Sequence, residues 1–69
     1  MKIIINTNEI EIFKGAKVED AIRKFDKKLL REVKKGTAKI LDKYEHQLSL
    51  SSPLHENSQI TIIKISQQQ

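Results

Sequence analysis

Apolar and polar positions alternate at the start of this chain, recur every three or four residues through its middle, and alternate again at its close. Residues 2–5 (KIII) and 9–13 (EIEIF) are β-branched runs separated by Asn6-Thr7-Asn8. Asparagine tolerates the left-handed backbone of a tight hairpin, so the segment reads as strand, turn, strand. Ile10 and Ile12 share one face and Glu9 and Glu11 the other, as in a sheet with one wet side. From Val18 the apolar residues fall at Val18, Ala21, Ile22, Phe25, Leu29 and Val33, a single helical stripe. Glu19 and Asp20 in the first turn, Lys34 and Lys35 in the last and Gly36 after it suit the helix dipole and a left-handed stop. Lys17 makes a poor N-cap. Glu32 lands beside the stripe and Leu30 off it, so a bend or short break is expected near residues 26–28, followed by a second short helical piece carrying Leu29, Leu30 and Val33.

Residues 37–50 read as a strand, a polar turn around 43–46 and a shorter strand. Residues 51–59 form a loop in which Pro53 stops the ladder and Asn57 takes a positive φ. Residues 60–65 (ITIIKI) are the last strand. Its parity switches: Ile60 and Ile62 share one face, Ile63 and Ile65 the other. Either a bulge resets the register, or part of the outer face is apolar. The predicted architecture is an α+β domain over residues 1–66, a mixed sheet of four or five strands in the order ββαβ(β)β. One helix covers one face, the first and last strands lie side by side at the centre, and residues 67–69 form a polar tail. This is the β-grasp arrangement.

Particular residues strengthen that expectation. The stretch at 12–24 (IFKGAKVEDAIRK) resembles the strand-to-helix passage of ubiquitin-like β-grasp proteins. The stretch at 47–63 (QLSLSSPLHENSQITII) is similar to the second half of TGS domains, with a Leu-x-x-Pro-Leu turn before an acidic loop and an Ile-x-Ile strand. Val18, Asp20, Pro53 and Leu54 carry the likeness as hydrophobic anchors and turn makers. Both halves also resemble the small sulfur carriers of thiamine and molybdopterin biosynthesis, whose chemistry resides in a terminal Gly-Gly. Here the last four residues are Ser66, Gln67, Gln68 and Gln69, so no position matches those glycines, and the alternative this likeness implies is a sulfur-carrier-like protein whose Gly-Gly is absent. TGS domains are modules of threonyl-tRNA synthetases, some GTPases and alarmone synthetase/hydrolases. The likeness to them implies a non-catalytic interaction or regulatory module.

Composition narrows the chemistry. Sixty-nine residues without cysteine form one small domain with neither disulfide nor thiolate metal site. The first residues match neither a signal peptide nor a membrane span, which leads to the expectation of a cytoplasmic protein. His46 and His55 stand nine apart with no ligand spacing, so they are expected as surface loop residues, and no metal or cofactor is expected. Ser49, Ser51 and Ser52 lack a glycine-framed nucleophile turn and are expected to cap turns. Residues 14–17 (KGAK) resemble no phosphate loop.

The net charge of +4 is concentrated. Residues 17–35 hold eight Lys/Arg against four Asp/Glu, and the rest of the chain holds five of each. Arg23, Lys27, Arg31 and Lys34 line one helix face opposite the apolar stripe, a candidate surface for RNA phosphates or an acidic protein. Phe13, Phe25 and Tyr44 are the only aromatic residues and Phe25 belongs to the core, so the stacking platform of a single-strand binder is missing from this reading. The second candidate surface is the outer sheet face at Ile4, Ile63 and Ile65, since exposed apolar residues on a sheet mark partner surfaces. The expected partner is another protein, or a further domain of a larger chain, with RNA the alternative through the helix.

Overall fold

The structure, a computed structural model, describes residues 1–65; the polar tail predicted at 67–69 lies outside them. Five strands and two helices follow one another as β1 (Lys2–Ile5), β2 (Asn8–Glu11), α1 (Val18–Phe25), α2 (Lys27–Lys35), β3 (Ala38–Asp42), β4 (Gln47–Leu48) and β5 (Gln59–Lys64). The strands form one mixed sheet in the order β2-β1-β5-β3-β4, so β5 occupies the middle. It runs parallel to β1 and antiparallel to β3. The class is α+β, as the period changes along the chain require.

The β1–β2 turn is two residues long, and Asn6 and Thr7 both take positive φ, 48° and 71°. That geometry matches the twist of the flanking strands. Asn6 then continues the work of β1: its amide donates to the Ile60 carbonyl and its Oδ1 accepts from the Ile62 amide. A side chain thus stands in for backbone where β1 ends and β5 goes on.

The helical segment is interrupted within the range where a bend or break is expected, and the one helix of the predicted architecture is two. Asp26 is extended, with φ −164° and ψ 110°, and both ends α1 and caps α2 by accepting from the Lys28 amide at 2.9 Å. The break re-phases α2 relative to α1, which is why Leu30, off the stripe of a continuous helix, is buried while Leu29 is half-buried. Lys17 makes no side-chain cap. Asp20 accepts from the Lys17 amide, and the Ser52 and Leu50 carbonyls accept from the first two helical amides, Val18 and Glu19, at 3.0 Å each. Loop backbone satisfies donors that the sequence leaves open locally. At the other end Gly36, φ 86°, closes α2 in the left-handed region.

One core joins Ile3, Ile5, Ile12, Ile40, Ile60 and Ile62 from the inner sheet face to Val18, Ala21, Ile22 and Leu30 from the helices. The parity switch in the last strand is resolved without a bulge, because β5 pairs residue for residue with β3 from Ile60↔Asp42 to Lys64↔Ala38. Ile63 and Ile65 therefore point away from the core, 39% and 41% exposed.

Candidate functional site

The two helices place the predicted cations around one concavity. Arg23 comes from α1 and Lys27, Arg31 and Lys34 from α2, over a floor that includes Leu30. The break at Asp26 does not scatter them. What the sequence hid is how much of this charge is already answered. Glu19 Oε2 lies 2.6 Å from Arg23 Nη2 and 3.6 Å from Lys34 Nζ, and Asp20 lies 3.5 Å from Arg23. Among the ion pairs of the described residues none involves Lys27 or Arg31. The field of this face is therefore centred on α2 and fades toward the first turn of α1.

A second concavity adjoins the first and shares Arg23 and Lys27 with it. Ile12, Phe13, Asp20 and Lys24 complete its lining. Phe13 is 61% exposed there, yet its backbone is held on both sides. The preceding residue, Ile12, is buried and its amide donates to the Met1 carbonyl at 2.8 Å. The Phe13 carbonyl accepts from Ala16, itself buried. Lys24 Nζ donates to the Glu11 carbonyl, tying α1 to the strand just before Phe13. In the sequence Phe13 counts as one of three scattered aromatics and falls in neither candidate surface. The signal was present: Phe13 has the parity of Glu9 and Glu11, not that of Ile10 and Ile12, so the alternation directs it away from the core.

The three isoleucines expected to share the outer sheet face do not form one patch. Ile4 pairs with Gln59, four residues before Ile63 on β5, which at a strand rise of about 3.3 Å separates them by about 13 Å. Ile4 is half-buried and flanked by Glu9 on β2. Ile63 lies across from Lys39, with Leu41 on the diagonal and Ile65 next along the strand. The apolar part of the face is thus a short stripe along β5 and β3, without Ile4.

Other candidate chemistry resolves into local structure. Ser49 Oγ lies 3.2 Å from both Ser51 Oγ and Ser52 Oγ, and Ser52 Oγ also accepts from the Ser49 amide. These hydroxyls close a turn. His46 and His55 are exposed; His46 Nδ1 sits 3.4 Å from Asp42 on the β3–β4 turn, and the His55 amide donates to Ser58 Oγ. Among the described residues no three His, Cys, Asp or Glu side chains are grouped to hold a metal ion. None of the helices described is long and apolar enough to cross a membrane.

Two carboxyls are held below their ordinary range. Asp42 is lowered by accepting from the His46 amide and, secondarily, from the Tyr44 amide, each at 2.8 Å. Glu32 is lowered by the Thr37 hydroxyl, with Lys64 and Lys35 contributing. Neither lines the cationic concavity.

No family model matches this chain, and neither does any curated protein or solved structure.

Proposed function

We propose that this chain is a non-catalytic binding module that takes an anionic macromolecular partner across its helical face. The observation that carries the reading is the convergence of Arg23, Lys27, Arg31 and Lys34 on one concavity, with Lys27 and Arg31 outside every ion pair described. Cations free of internal partners are the ones that a polyanion's phosphates or carboxylates can engage, releasing counterions as they do. The β-grasp reading supports a module rather than an enzyme, and the strand order, the parallel β1–β5 pair and helices on one face fit it.

The test is a titration with labelled oligouridylate and labelled polyglutamate at about 50 and about 200 mM salt. Binding to at least one is expected, falling with salt and weakened in Lys27→Gln/Arg31→Gln. Salt-independent binding, or none to either polymer, overturns the reading.

A second reading has its own observation. Ile63 and Ile65 are exposed beside the β5 edge that extends past the β1–β2 hairpin, which fits a protein partner laid on the sheet. The sulfur-carrier alternative depends on Ser66 to Gln69, outside the described residues.

A further inference from the structure

We infer that the occupant of the helical face is a single-stranded nucleic acid, with Phe13 stacking on one base while Lys27 and Arg31 neutralise flanking phosphates. The inference rests on the anionic-partner reading and names the partner. The two concavities share Arg23 and Lys27, so cations that line the first also line the hollow that holds an exposed aromatic ring. Single-strand binders combine these two elements, a basic groove that follows the backbone and an aromatic face on which a base lies.

Several features single out Phe13 for that role. Its exposure does not come from a loose loop, because Ile12 and Ala16 anchor the chain on either side and Gly15, φ 92°, completes the turn between them. A ring on a fixed backbone gives up little conformational freedom when it is covered. Its surroundings are cationic as well as apolar: Arg23, Lys24 and Lys27 line the same hollow, opposed only by Asp20, which is already engaged with Arg23 and the Lys17 amide. Polyglutamate could satisfy the cations but offers no flat ring. A duplex could satisfy them too, but keeps its bases stacked on one another.

The experiment uses the full chain, a labelled oligouridylate, the matching duplex RNA and labelled polyglutamate, titrated over a salt series. The single strand is expected to bind more tightly than either competitor. Phe13→Ala and Phe13→Leu should each weaken it by about 5- to 100-fold with the salt slope unchanged, and Phe13→Trp should retain it. Lys27→Gln/Arg31→Gln should instead lower the slope by about 1.4, at about 0.7 per phosphate contact on a single strand. Thermal melts of the Phe13 variants that match the parent separate binding from folding. If Phe13→Leu binds as the parent does, or the duplex or polyglutamate is preferred, the inference is overturned while the anionic-partner reading stands. If no polyanion binds, both are overturned.

Discussion

Glu19, in the first turn of α1, lies 3.6 Å from the ammonium of Lys34, in the last turn of α2. With Arg23 on its other side at 2.6 Å, this one carboxylate ties the two ends of the helical face together and restrains two of its four cations. Removing its charge should release both. Glu19→Gln is expected to raise affinity for a polyanion about two- to fivefold, while chemical denaturation shows a loss of no more than about 1 kcal/mol, since exposed pairs contribute little to stability. Unchanged affinity at low salt would mean that Arg23 and Lys34 take no part in binding.

Asp26 and Lys17 are both N-caps, and they should respond in opposite ways. Asp26→Ala removes an acceptor of the Lys28 amide and is expected to cost about 1 kcal/mol in urea denaturation. Lys17→Ser supplies a side-chain acceptor that the native residue lacks, but the Ser52 and Leu50 carbonyls already hold the Val18 and Glu19 amides. The gain should stay below about 0.5 kcal/mol, short of a usual N-cap exchange. A larger gain would show that those loop bonds are weak in solution.

Acid should destabilise the protein through Asp42 and Glu32. Both carboxyls titrate lower in the folded chain than in the unfolded one, so the unfolded state binds more protons and stability rises with pH in that window. Their contribution is complete above the ordinary values, 3.8 for Asp and 4.5 for Glu, and is lost as pH drops through the lower folded values. Asp42→Asn and Thr37→Val should each flatten the acid limb of a plot of melting temperature against pH. The same slope in both variants as in the parent would place the acid sensitivity elsewhere.

Neighbours on β5 should differ sharply. Ile62, 8% exposed, meets Ile40 across the inner face, whereas Ile63 opposes Lys39 outside. Ile62→Ala is expected to cost about 2 to 5 kcal/mol in equilibrium unfolding. Ile63→Lys should fall within about 1 kcal/mol of the parent, although it sets a lysine opposite Lys39. A comparable loss at both positions would contradict the unbroken β3–β5 register.

Much of the fold was legible because local pattern and tertiary structure agree. The hairpin follows from Asn6, the helix stop from Gly36 and the break from Leu30 falling off a continuous stripe. The last strand was ambiguous for a physical reason: Ile60, Ile62, Ile63 and Ile65 satisfy both a bulged strand and a straight one, and only the register against β3 decides between them. The candidate site was less legible. Spacing put Arg23, Lys27, Arg31 and Lys34 on one face, but it could not show that Glu19 reaches across to Lys34. Nor could it bring Phe13, ten residues from Arg23 in the chain, into the same hollow. Ile4 was grouped with Ile63 because parity fixes the face of a sheet and not the position along it.

The central place of β5 also bears on how the domain is made. β2-β1 and β3-β4 meet only through β5, the last of the strands to be synthesised. While the ribosome still holds that segment, the nascent chain can form a hairpin and two short helices but cannot close its sheet. Until β5 is in place, the edges of β1 and β3 that it joins stay open and the core lacks Ile60 and Ile62, so the last strand is the one that completes the fold.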